Sequence, residues 1–193
     1  MINLEECEKK EDSELVSLSL ANQEYFYCII ARYERVIFHY ILRISNSSKE
    51  DAEDILQEVF MSVYENLNEF DKSLKFSSWI YRIAHNKTIS AWRKMKTRPK
   101  TIWTEEDQNL FNLISSDEDI LGNLEKKCSA KEVQSALGEL DERYREVLVL
   151  KFLEDKDYKE ISDILKKPMG TVATLINRAK GQLREKLNNL EIK

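Results

Sequence analysis

Residues 157–187, DYKEISDILKKPMGTVATLINRAKGQLREKL, decide how this chain folds. Asp157 and Glu160 stand at capping-box spacing, where each side chain accepts from the other's unsatisfied backbone N–H. Ile161, Ile164 and Leu165 then supply a short apolar face. Lys166, Lys167 and Pro168 interrupt it, and Gly170 opens a second helix, TVATLINRAKGQLREKL. In that helix Val172, Leu175, Ile176, Ala179 and Leu183 can face a core. A short helix, a tight break and a longer basic helix form the helix-turn-helix pattern, whose second helix enters the major groove of DNA. Its exposed polar candidates are Thr171, Thr174, Asn177, Arg178 and Lys180. Thr and Asn suit base edges, while Arg and Lys suit guanine or phosphate. An antiparallel helical hairpin has the same spacing, so this segment alone leaves both readings open.

Working outward, helical patterning begins near Ala130 with the stripe Val133, Leu137 and Leu140. Val147, Leu148, Leu150 and Phe152 follow Asp141, a favourable N-cap. Nearer the N-terminus, Ile29, Ile30, Tyr33, Val36, Ile37, Tyr40, Ile41 and Ile44 predict an amphipathic helix over roughly 22–45. Ser47 with Glu50, or Ser48 with Asp51, has the spacing that starts the next helix. Its stripe is Ala52, Ile55, Leu56, Val59, Phe60, Val63 and Leu67. A loop from Asn68 to Lys75 leads to a third helix, from about Ser77 to Lys96, which Pro99 ends. The intervening stretch 98–129 is weakly periodic and acidic, with apolar Ile102, Trp103, Leu110, Phe111 and Leu113 that could dock on a partner or fold back.

Composition supports the same class. Four Gly and two Pro in 193 residues are too few for the turns of a strand-rich fold, and 42% hydrophobic content is enough for real cores. The expected fold is all-α: two small helical domains on a flexible acidic linker. The expected boundaries are an acidic segment 1–20, a bundle 21–97, the linker 98–129 and the helix-turn-helix domain 130–190. No apolar run approaches the roughly 20 residues of a membrane span. The acidic start MINLEECEKKEDSEL lacks the order of a secretory signal, so a cytoplasmic protein without direct membrane insertion is expected. Cys7, Cys28 and Cys128 are odd in number and far apart. They suggest free thiols rather than a disulfide framework or a metal site.

A net charge of −5 hides strong sorting by sign. From Asp51 to Asp71 there are seven acidic residues and no Lys or Arg; from Lys75 to Lys100 there are eight basic residues and no acidic one. Thr101 to Glu125 is acidic again, and Lys166 to Lys186 sets six basic residues against Glu185. Two basic blocks around an acidic spacer suggest two polyanion contacts, where ordinary solvated faces are the plain alternative. Trp79, Tyr81 and Trp92 within the first basic block favour nucleic acid. No paired catalytic carboxylates, nucleophile triad, phosphate loop or metal motif is visible, so neither an enzyme nor a cofactor is expected.

The segment LGELDERYREVLVLKFLEDKDYKEISDILKKPMGTVATLINRAKGQLREKL resembles region four of the extracytoplasmic-function sigma factors. DAEDILQEVFMSVYENLNEFDKSLKFSSWIYRIAHNKTISAWRK resembles region two of the same group, in the expected order. The resemblance implies that the acidic helix binds the clamp coiled coil of the largest subunit of bacterial RNA polymerase core through Asp54, Gln57 and Glu58. It implies that the Phe70–Phe76 loop holds an extruded base of the promoter's minus-ten element. Phe70, Lys75, Arg82, His85, Asn86 and Arg93 would then contact that DNA. Trp79 could be a core anchor or a base wedge. The helix from Thr171 would read the minus-thirty-five element. Leu175 departs from the family's usual Arg and removes one expected DNA contact. Lys166 stands where Gly is frequent. Gly181 inside the helix costs about 1 kcal/mol against Ala. The family also suggests sequestration by an anti-sigma factor. A linker of about 30 residues reaches roughly 100 Å, enough for two DNA turns.

Overall fold

Capping side chains mark where the helices starting at Lys49, Glu142 and Tyr158 begin. Of the two serines able to start the acidic helix, Ser48 does so: its Oγ accepts from the Asp51 N–H at 3.1 Å and donates to Asp51 Oδ2 at 2.7 Å. Ser47 is buried instead and shares its hydroxyl with Ser45 at 2.7 Å. The structure, a computed structural model, describes residues 4–45, 47–95 and 130–190. Among the described residues it is helical, without a strand. The expected linker, with Trp103 and Cys128, and the Pro99 helix stop lie outside them.

The chain divides into two units, Met1–Pro99 and Lys100–Lys193. In the first, α1 (Leu4–Glu8) and α2 (Asp12–Ala21) precede a short 3-10 turn, Gln23–Tyr25, whose Asn22 cap accepts from the Glu24 N–H. Next come α3 (Phe26–Ser45), α4 (Lys49–Glu65) and α5 (Phe76–Met95). The whole Ala52–Leu67 stripe is buried, as its spacing demands. On α3 the stripe is narrower than expected: Ile29, Tyr33, Ile37, Tyr40, Ile41 and Ile44 are buried, while Val36 is exposed. Burying Leu15 and Val16 in the same unit makes the acidic segment 1–20 a contributor to its core.

Arg32 on α3 fastens that segment. Its guanidinium donates to the Cys7 and Lys10 carbonyls at 2.7 Å each and to Asp12 Oδ1 at 2.7 Å. Tyr33 donates to the other Asp12 oxygen at 2.5 Å, and burial and that bond raise the phenol's pKa. Cys7 and Cys28 are joined as a disulfide, with Sγ atoms 2.05 Å and Cα atoms 5.5 Å apart. This overturns the expectation of free thiols at those two positions. A 21-residue separation in sequence says little once α1 and α2 fold back along α3 and bring the two cysteines together.

The second unit contains α6 (Ala130–Gly138), α7 (Glu142–Leu148), a π-helical turn Val149–Leu153, α8 (Tyr158–Leu165) and α9 (Met169–Leu190). Asp141 caps α7 by accepting from the Arg143 N–H at 3.2 Å. Arg145 is buried, and burial pulls its guanidinium pKa down. It donates to the carbonyls of Leu137 (3.2 Å), Gly138 (2.9 Å) and Leu140 (3.0 Å), closing the C-terminal end of α6. Helix ends leave such acceptors open, and buried ones must find donors.

The capping box at α8 is complete: Asp157 accepts from the Glu160 N–H at 2.7 Å and Glu160 from the Asp157 N–H at 3.0 Å. Lys166 ends α8 in the left-handed conformation, φ 53° and ψ 42°, and its N–H bonds the Ser162 carbonyl. Ser162 Oγ donates to the Lys167 carbonyl at 2.6 Å. The Pro168 carbonyl then receives the N–H groups of Thr171 and Val172, which starts α9. Every bond in this turn is local, so the angle between α8 and α9 is written into these few residues.

Candidate nucleic-acid interface

An aromatic shelf underlies the loop that leads into α5. Phe70 is 7% exposed, and its ring centroid lies 5.2 Å from Phe76 and 5.4 Å from Trp79. Phe76 and Trp79 are 5.5 Å apart, and Tyr33 meets the Phe76 ring edge-on at 5.6 Å. Trp79, 8% exposed, therefore acts as a core anchor. Phe70 sits beneath the loop rather than in solvent. Between the two buried phenylalanines the loop turns through Asp71, whose Oδ1 accepts from the Ser73 N–H at 2.9 Å. That bond holds the Asp71 carboxyl below the usual carboxylate range. Lys72 donates to Ser17 Oγ on α2 at 3.0 Å, and Lys75 is exposed.

On α5, Asn86 and Arg93 are exposed and Arg82 and His85 are half-buried. His85 Nδ1 lies 3.5 Å from Asn86 Oδ1. The face shared by Arg82, His85, Asn86 and Ile89 is a boundary rather than an open surface, because Ile89 is buried. From such a position Arg82 can extend its guanidinium outward, whereas the Nε2 atom of His85 is buried and Ile89 has no polar tip to extend.

Asp54, Gln57 and Glu58 are exposed together on α4, opposite the buried Ile55–Val63 stripe. Lys87 of α5, half-buried, comes within 3.9 Å of the exposed Glu58. Beside Gln57 runs an apolar groove lined by Phe26, Ile30, Leu56, Phe60, Met61 and Tyr64. Met61 and Tyr64 are exposed within it. Periodicity alone turns α4's apolar residues inward and misses this groove. The signal was present: Met61 and Tyr64 are bulky groups off the Ala52–Leu67 stripe.

In the second unit Thr171, Thr174, Asn177 and Arg178 are exposed on the first turns of α9. Thr174 donates its hydroxyl proton to the Gly170 carbonyl at 2.8 Å. Lys180 is half-buried, with its ammonium 5.5 Å over the Phe152 ring of the π-helical turn. Leu175 is half-buried too, between the core stripe and the polar face. The first four candidates thus share one accessible surface, and Lys180 lies at its edge.

Residues 29–98 match the Sigma-70 region 2 family, and residues 130–183 match the Sigma-70, region 4 family. The chain is 35% identical over 176 residues to the ECF RNA polymerase sigma factor SigW of Bacillus subtilis, covering 88% of this chain and 92% of that protein. It is 27% identical to the RNA polymerase sigma-H factor of Pseudomonas aeruginosa, over 94% of this chain and 96% of that one. Among solved structures, CnrH in complex with the cytosolic domain of CnrY superposes with TM-score 0.68 at 24% identity, covering 92% and 97% of the two chains. The sigma factor RpoE in complex with the anti-sigma factor NepR, from Bartonella quintana, gives 0.65 at 17% identity, covering 84% and 96%. With both regions in order on two helical units, and a relative of that identity spanning nearly the whole chain, the protein belongs to the ECF sigma factors of RNA polymerase.

Proposed function

We propose that this sigma factor divides promoter recognition and transcription initiation among three separate surfaces. The α4 face of Asp54, Gln57 and Glu58 docks on the polymerase core, where its carboxylates meet basic residues. The Phe70–Phe76 loop, with Lys75 and the α5 groups Arg82, His85, Asn86 and Arg93, takes the melted minus-ten strand. Extruding a base costs a few kcal/mol of unstacking, which adjacent cations and a loop held in shape by the buried aromatic shelf offset. The α9 face of Thr171, Thr174, Asn177 and Arg178, with Lys180 at its rim, reads the minus-thirty-five duplex. Joining two weak DNA sites on one chain raises the effective concentration of the second.

The observation that carries this reading is the exposure of Asp54, Gln57 and Glu58 on α4, of Lys75, Asn86 and Arg93 on and before α5, and of Thr171, Thr174, Asn177 and Arg178 on α9, each group backed by a buried apolar face. The protein is read as a non-catalytic, cytoplasmic initiation factor. Among the described residues no helix is long and apolar enough to cross a membrane. An anti-sigma partner belongs to the same reading. It is supported by the RpoE–NepR likeness and by the exposed Met61–Tyr64 groove beside the polymerase face.

Run-off transcription with core polymerase and a genomic promoter library tests the proposal. The expected result is new start sites sharing two spaced elements, lost when Asp54, Gln57 and Glu58 are replaced together by Arg. The free protein, acidic overall, is expected to bind promoter duplex poorly. Tight sequence-specific binding of a palindrome without core polymerase would overturn the reading in favour of a stand-alone regulator.

A further inference from the structure

The most elaborately fastened part of the first unit is its N-terminal end. α1 has five residues, far short of the dozen or more that an isolated helix needs to persist in water. Its position therefore depends on what ties it to α3. Among the ties that reach it are the Cys7–Cys28 bond and Arg32, which donates to the Cys7 carbonyl. Both cysteines are buried, at 5% and 1% exposure. Disulfides that form in a reducing cytosol are usually transient and carry redox information.

The fastening continues to the promoter loop. Asp12, at the start of α2, binds Arg32 through one oxygen and Tyr33 through the other. Tyr33 packs on Phe76, and Phe76 on Phe70. From the same helix, Ser17 receives Lys72 of the loop. The cysteine pair is thus linked to the Phe70–Phe76 loop by two routes, one through Asp12 and Tyr33 and one along α2.

We propose that Cys7 and Cys28 form a reversible thiol–disulfide site whose oxidation clamps α1 and α2 and steadies the Phe70–Phe76 loop. The effect on initiation rests on the promoter reading above. The oxidant is a low-molecular-weight disulfide of the glutathione class. One cysteine thiolate attacks a sulfur of RSSR, forming a mixed disulfide and expelling RS⁻. The second thiolate attacks the protein sulfur of that mixed bond and expels a second RS⁻. The two protons leaving the cysteines are taken up by the two thiolates, giving one protein disulfide and two RSH. Excess RSH runs the same steps backward. Cys7 is the entry point, since it rides on the short terminal helix while Cys28 is held within α3.

The test uses the full chain carrying Cys128→Ser, poised in buffers of varied glutathione to glutathione disulfide ratio. Acid quench and maleimide labelling count the thiols. The expected result is one reversible two-electron transition between two labelled thiols and none. Amide exchange should then be at least tenfold faster in the reduced form over residues 4–21, with a smaller increase over 70–76 and none over 142–187. Run-off transcription with core polymerase should fall about two- to fivefold on reduction. Cys7→Ser should behave as the reduced form in every buffer, and Cys28→Ala serves as the second variant if Cys7→Ser fails to fold. Persistent labelling of both thiols in excess glutathione disulfide overturns the proposal, as does identical exchange over 4–21 and 70–76 in the two states. Redox-dependent exchange in a protein that initiates in neither state supports the thiol site and sinks the promoter reading instead.

Discussion

The two units solve the same packing problem with different materials. The first fills its core with rings: Tyr33, Tyr40, Phe60, Phe70, Phe76, Trp79 and Tyr81 are all buried. The second relies on Val133, Leu137, Leu140, Val147, Leu148, Leu150, Ile161, Ile164, Ile176 and Leu183, with Tyr144 its only buried aromatic among the described residues. It holds a buried Arg145, where the described residues of the first unit bury no charged side chain. The contrast follows the work proposed for each. A loop that must hold an unstacked base gains from large, rigid side chains packed beneath it. A reader of intact duplex needs chiefly one helix held at a set angle, which caps and a guanidinium can supply.

Removing a ring or a donor tests that division directly. Trp79→Ala should destabilise the first unit by about 3–5 kcal/mol, the range for deleting a large buried aromatic. Urea unfolding with amide exchange would show the loss confined to α2–α5; a change under about 1 kcal/mol would break the claim that the shelf is structural. Arg145→Ala comes next, at about 2–4 kcal/mol, because it removes the guanidinium donor from the Gly138 and Leu140 carbonyls and leaves Leu137 with only the Leu140 N–H. Its effect should appear in α6–α9 alone, and Arg145→Lys should recover only part of it, since an ammonium lacks the planar fork.

Smaller effects probe the turn chemistry. Asp157→Ala should cost about 1 kcal/mol by opening the α8 capping box, read as a lower urea midpoint for the second unit. Lys166→Gly should stabilise that unit by about 0.5–1 kcal/mol, because glycine adopts the left-handed conformation without a Cβ clash. The smallest effect concerns pH. The folded Asp71 carboxyl is held below its ordinary value, so its bond to Ser73 is present above the usual carboxylate pKa of about 3.9 and lost as pH falls through the lower folded value. The Ser73 amide resonance should follow that acid transition, and Asp71→Asn should abolish it.

Much of this was legible in the sequence. The Ala52–Leu67 stripe, the Asp141 cap, the Asp157–Glu160 box and the left-handed Lys166 depend on residues within a few positions of one another. The missed features depend on distant partners. α2 reads poorly because Ser13, Ser17 and Ser19 interrupt its apolar residues, and only packing against α3 makes Leu15 and Val16 core. Arg145 sits in DERYREV like any surface arginine until α6 folds over it. Cys7 and Cys28 could not be paired before the chain was known to double back. For the candidate site, the solvent side of α4 and α9 followed from periodicity. Periodicity could not separate boundary positions such as Arg82, His85 and Ile89, which depend on side-chain reach.

The buried ends of the Phe70–Phe76 loop carry an evolutionary consequence for the role proposed for it. Phe70 and Phe76 belong to the hydrophobic core, whereas Asp71, Lys72, Ser73 and Lys75 between them are exposed. Substitutions at the two phenylalanines would lower abundance before they altered any preference for bases. Substitutions at the four exposed positions would cost far less stability, at most the solvent-exposed bonds of Lys72 to Ser17 and of Ser73 to Asp71. On the proposed reading, the bases that the loop prefers can change one exposed residue at a time without unsettling the core that frames it.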